Sequence, residues 1–265
     1  MRKAIATLIT LCLLICSVSA FATDYSSDIS SVMSSFTLNN YSCNSAVQQQ
    51  VNGTYRTVEM LEIIAKELDS GSRYSSEISS VMSSFTLNNY SCDSAVQQAV
   101  NGYYRSVEML GIIANELDTS GKYSSDISSV LTNLTLNNYS CKSAPQQQVN
   151  GAYRTVEMLE IIAKELDSSG QYSSDISSVM TSFTLNNYSC ESAPQQEVNG
   201  VYRTVEMLEI IAKEVDSGSA RSSDISSVMT SLTLNNYSCN SAVQQAVNGT
   251  YRTVEMLEIV AECLN

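Results

Sequence analysis

One unit of 49 residues is written five times in this chain, starting at Tyr25, Tyr74, Tyr123, Tyr172 and Arg221, with the last copy running to Asn265. Periodicity at this length marks supersecondary units that must pack on one another, because a hairpin of this size cannot bury both sides of its own apolar helices. The expected organisation is a leader at 1–22 followed by repeats at 23–73, 74–122, 123–171, 172–220 and a shortened fifth at 221–265. The copies are nearly identical, so agreement among them is weak evidence that any one residue matters.

Within a copy, "SSDISSVMSSFTL" places Ile29, Val32, Met33 and Phe36 at i, i+3, i+4 and i+7, the spacing of a short amphipathic helix. "LNNYSC" then carries Asn39 and Asn40, which favour turns because their side chains bond nearby backbone. A second helix opens at "SAVQ", where Ser45 and Gln48 make a capping box. Pro145 and Pro194 replace Val47 in two copies, which only a first helical turn tolerates. From there Val47, Val51, Tyr55, Val58, Leu61, Ala65 and Leu68 keep a helical stripe, widened by Met60, Ile63 and Ile64. Asn52-Gly53 also suits a hairpin turn, but its flanks do not alternate, so a continuous or kinked helix is expected. Glu62 and Lys66 add a favourable i,i+4 pair, and "DSGSR" ends the helix with Gly71 available for a left-handed cap.

The fold expected is all-α: a tandem array of helical hairpins in a solenoid-like stack, with beads on a string as the alternative because the linkers are rich in Ser and Gly. Such a stack exposes apolar ends unless capped. Only Arg221 in place of Tyr and Cys263 in place of Glu mark the final copy, so head-to-tail association is one expectation.

"MRKAIATLITLCLLICSVSAFA" reads as a signal peptide: Arg2 and Lys3, an apolar run to about Cys16, and small residues around Ala20 and Ala22. No later run is long enough to cross a bilayer. Export to the extracellular space or cell surface is expected, the periplasm being the alternative compartment. Removing the leader takes Arg2 and Lys3 from 14 basic residues and leaves 27 acidic ones, moving the formal charge from -13 to -15. That balance disfavours nucleic acid and anionic membrane as partners.

Beyond the leader there are six cysteines: Cys43, Cys92, Cys141, Cys190, Cys239 and Cys263. Neighbouring helices sit about 8–10 Å apart, whereas a disulfide needs Cα atoms within about 7 Å. A ladder of bridges is therefore disfavoured, and the cysteines are read as small structural side chains. With 0 His in the chain there is no base for a thiol or serine nucleophile, and one Cys per copy cannot complete a zinc shell. The "DSG" triplets at Asp69 and Asp216 echo those of aspartic proteases, yet they end helices rather than follow strands. No catalytic residue, cofactor site or metal site is expected.

Asn-X-Ser/Thr tripeptides occur at Asn40, Asn89, Asn138, Asn187 and Asn236, and again at Asn52, Asn133 and Asn248. Arg56 and its equivalents are expected to pair with Glu59 and its equivalents at i+3. The remaining candidate is a binding edge of Tyr41, Tyr90, Tyr139, Tyr188 and Tyr237, one per turn, because Tyr beside Ser and Asn is what adaptable binding loops use. The functional expectation is a secreted, non-enzymatic repeat protein offering a multivalent surface to an extracellular protein or glycan, or to itself. A precursor cut near Arg73, Lys122 and Arg221 is the alternative.

Overall fold

A computed structural model describes residues 25–264 except 44, 70, 92–93, 141–142, 190–191, 217 and 239–240, and gives backbone alone for 38–42, 87–91, 136–140, 185–189 and 234–238. The expected leader, Cys92, Cys141, Cys190, Cys239 and the side chains of Tyr41, Tyr90, Tyr139, Tyr188 and Tyr237 lie outside the described residues.

Each copy is a helical hairpin. In chain order the short and long helices are α1 Ser26–Ser42 and α2 Ala46–Leu68, α3 Ser75–Ser91 and α4 Ala95–Leu117, α5 Ser124–Ser140 and α6 Ala144–Leu166, α7 Ser173–Ser189 and α8 Ala193–Val215, and α9 Ser222–Ser238 and α10 Ala242–Leu264. Ser45 caps α2 by accepting the Gln48 N–H at 3.3 Å, and Pro145 and Pro194 stand in the first turns of α6 and α8. The long helix runs unbroken through Asn52-Gly53.

Two local expectations need correction. The short helix continues through Asn39 and Asn40 to Ser42, so the turn shrinks to Cys43–Ser45. Local turn preference of Asn is outweighed there by continuation of the ladder. The left-handed residue of the linker is Ser72 (φ 54°), not Gly71; Gly121 (φ 73°), Gly170 (φ 75°) and Ser219 (φ 55°) occupy the same position in the next three linkers. What organises each linker is its aspartate. Asp69 accepts the Tyr74 N–H at 3.0 Å and the Ser75 hydroxyl at 3.1 Å, and Asp118, Asp167 and Asp216 repeat the backbone bond to residues 123, 172 and 221. The "DSG" triplet thus ties the end of one hairpin to the start of the next.

The hairpins pack as a tandem array, and the array closes. The five long helices α2, α4, α6, α8 and α10 form an inner ring in which each packs along both ring neighbours, with α10 packed along α2 nearly as extensively as the consecutive pairs. The short helices lie outside, each against its own long helix and that of the preceding copy. Aromatic contacts show the same cycle: Tyr55 meets Phe85 and Tyr153 meets Phe183 at 4.6 Å between ring centroids, and Tyr251 meets Phe36 at 4.5 Å across the closure. The apolar ends expected to be exposed are therefore buried against each other, which removes the basis for head-to-tail association. It also answers the capping problem, since a ring has no terminal repeat.

Asn52-Gly53 explains how close the helices come. The Asn52 amide donates to the Phe36 carbonyl at 3.1 Å, fastening long helix to short helix, and Asn101, Asn150, Asn199 and Asn248 do the same at 3.1–3.2 Å. The glycine faces the preceding copy. A Cβ on Gly102 would stand 2.6 Å from the Thr54 Cβ, and one on Gly53 would stand 2.6 Å from Thr250 Cγ2 across the closure. Because every glycine meets the residue one step further along the preceding long helix, the five long helices run parallel and in register.

Candidate functional site

Five helices packed about 8–10 Å apart leave their axes roughly 7–8.5 Å from the centre of the ring. That is too wide for five alanines to fill. The centre is instead filled by copy-specific side chains. At one level stand Gln50, Ala99, Gln148, Glu197 and Ala246, and one turn further Thr54, Tyr103, Ala152, Val201 and Thr250, all buried. These are equivalent positions of copies that agree almost everywhere else.

Glu197 is the centre of this layer. The Gln50 amide donates to its carboxyl oxygen from the far side of the ring, 147 residues away in sequence. Tyr103 brings its hydroxyl within reach of Glu197, Gln50 and Thr250 without completing a well-formed hydrogen bond to any. Its ring packs against Ala152 and Val201, the smaller side chains at its own level. Burial pushes the Glu197 carboxyl up to about 7, against the opposing pull of the nearby Tyr103 hydroxyl and of the bond from Gln50. Burial likewise raises the Tyr103 phenol well above its ordinary range, so Tyr103 stays a neutral donor. The cluster can take up or release a proton near neutrality and fixes which copies face each other.

A further hydroxyl belt surrounds it. Thr57, Ser106, Thr155, Thr204 and Thr253 each donate to the carbonyl of their own helix's glycine at 2.9–3.0 Å, so these buried hydroxyls are satisfied internally. Reading apolar stripes alone misses the axis, because Gln, Glu and Thr fill half of its positions. Divergence between copies at positions 50 and 54 is the sequence signal that would have found it.

The sequence-derived candidates fall elsewhere. The backbones of Tyr41, Tyr90, Tyr139, Tyr188 and Tyr237 all lie in the last turn of the short helices, at the end of the ring where the long helices begin. In-register closure arranges them in a circle rather than along an edge. Cys43 and Cys263 are free thiols, half-buried, and burial raises both. Arg56, Arg105, Arg154, Arg203 and Arg252 pair with Glu59, Glu108, Glu157, Glu206 and Glu255 as expected, and each guanidinium lies 4.7–5.0 Å over the preceding tyrosine ring. Asn52 and Asn248 are buried inside helices with their amides bonded to backbone, so a glycan at either is incompatible with this packing. Among the described residues no group of three or more Cys, Asp or Glu is placed to hold a metal, and no helix is long and apolar enough to cross a membrane. Comparison with protein-family models, with curated proteins and with solved structures found no match for this chain.

Proposed function

We propose that this is an exported, non-enzymatic ring scaffold that presents five equivalent turns from one face to a repetitive extracellular protein or glycan. The observation that carries the reading is the parallel, in-register ring, which brings the ends of all five short helices, with the backbones of the tyrosines in their last turns, to one end. Equal sites on one rigid face engage a repetitive partner with an avidity gain of about 10²- to 10⁴-fold without any new contact. The acidic surface favours a neutral or basic partner over nucleic acid. The precursor reading finds less support. Each long helix packs against two others, so cuts after the exposed Arg73 and Lys122 would leave the pieces held together.

The test keeps the ring intact and varies the number of tyrosines. Full-length protein with none, one, three or all of Tyr41, Tyr90, Tyr139, Tyr188 and Tyr237 changed to Ser would be passed over cell-wall, matrix and glycan surfaces. Retention falling steeply with each tyrosine removed, with unchanged circular dichroism, is the expected result. Retention that is absent in the parent, or indifferent to the substitutions, ends the reading.

A further inference from the structure

Outside the axis, several departures from the repeat fall together at one place. Between copies two and three, on the outer surface, a groove of about 310 Å³ runs between α3 and α5 over the long helix α4. Its apolar walls are Val81, Tyr104, Ile112, Leu131 and Leu134. Departures from the repeat converge on it from both copies. Leu134 stands where copies one, two and four have Phe, so Tyr104 lacks the ring that Tyr55, Tyr153 and Tyr251 each stack on. Tyr104 turns its hydroxyl to Thr135 at 3.0 Å instead. Gly111 replaces the glutamate of the other four copies, and Leu131, a methionine in the others, occupies the space: a Cβ on Gly111 would stand 3.3 Å from both Leu131 methyls.

Charge changes with shape. Copies one, three and four carry a Glu–Lys pair at 2.5–2.6 Å on this face (Glu62–Lys66, Glu160–Lys164, Glu209–Lys213), whereas copy two has Gly111 and Asn115 and so has lost both members. No basic side chain lines the groove. Of its two carboxylates, Glu108 is neutralised by Arg105, while Glu77, exposed at the rim, accepts the Ser76 hydroxyl at 2.8 Å. The groove is thus an apolar trough with one net negative charge at its mouth, of a size suited to a small ligand.

We propose that this groove is a binding site for a small organic ammonium ion with an apolar body, the body lying between Leu131, Leu134 and the Tyr104 ring and the ammonium at Glu77. The site lies apart from the five-turn surface. Binding of 2-phenylethylammonium to the full chain, followed by methyl and amide NMR shifts, tests it against 3-phenylpropionate, which keeps the body and reverses the charge. The expected result is saturable one-to-one binding of the amine with shifts at Val81, Leu131 and Leu134. L134F installs the residue that three other copies carry, so the fold accommodates it, and binding should be abolished. E77Q, at an exposed position, should weaken binding about tenfold. Equal binding of the carboxylate, undiminished binding by L134F or E77Q, or no binding by the parent overturns the proposal.

Discussion

Glu197→Gln isolates the one buried acid at the centre of the ring. The carboxyl's folded-state value is about 7 against an ordinary 4.5. A group raised in this way binds its proton more tightly when folded, so its contribution is fully present below pH 4.5 and is lost as pH rises towards 7. The gap of about 2.5 units, at about 1.36 kcal/mol per unit, makes the folded ring about 3 kcal/mol less stable at pH 8 than at pH 4.5 through this residue alone. The groups facing it are Gln50, Tyr103 and Thr250; the amide and hydroxyl do not titrate, and Tyr103 is shifted to still higher pH. Glutamine keeps the shape, can accept from Gln50 and never ionises. Urea unfolding at pH 5, 6, 7 and 8 should therefore give curves for parent and variant that diverge upward from pH 5, the variant ending about 2–3 kcal/mol more stable at pH 8. Glu67 and Glu258 are also raised to about 7 by burial and keep a shallower slope of the same sign in the variant. Parallel curves, or a variant less stable at pH 8, would show that Glu197 is ionised in the folded ring and refute the reasoning.

Four other outcomes follow from the packing. Gly102→Ala, which drives a Cβ into Thr54, should cost about 1–3 kcal/mol in urea unfolding, whereas Gly111→Ala, facing the movable Leu131 methyls at 3.3 Å, should cost nothing or stabilise by up to about 1 kcal/mol. Exchanging Gly71 and Ser72 so that glycine holds the left-handed position, as Gly121 and Gly170 already do, should raise stability by about 1 kcal/mol. Tyr103→Phe removes a buried hydroxyl that lacks a well-formed bond and should raise the melting temperature by a few degrees, the equivalent of about 1 kcal/mol.

Helix type and the starts of the long helices were legible because they rest on local signals. Ser45, Pro145 and Pro194 mark a first turn whatever the fold. Closure was not legible, since the same apolar stripe serves an open stack or a ring, and the choice depends on a small rotation per copy that no single copy encodes. The polar axis was missed for a related reason: Gln50, Thr54 and Thr57 look like a solvent face in a lone hairpin and become core only when four other copies surround them. Asn52-Gly53 is the case where a local signal misleads. Its turn chemistry is spent on a side-chain bond to α1 and on helix-to-helix contact, not on a turn.

Ring closure imposes opposite demands on the two surfaces of one repeat. Outside, every copy meets the same neighbours, so near-identical residues at the Arg–Glu pairs, the Asn–carbonyl bonds and the linker aspartates satisfy all five positions. At the axis, five copies meet at once, and identical residues fail by volume or charge. Five glutamates would repel, five tyrosines would overfill the space, and five alanines would leave it empty. The chain meets this with one Glu, two Gln and two Ala at one level and one Tyr among Thr, Ala and Val at the next. Those choices are complementary only in their present order, because Gln50 must reach Glu197 across the ring while Tyr103 needs Ala152 and Val201 beside it. The axis therefore stores the order and number of the copies, while the Arg–Glu pairs, Asn–carbonyl bonds and linker aspartates outside it repeat from copy to copy.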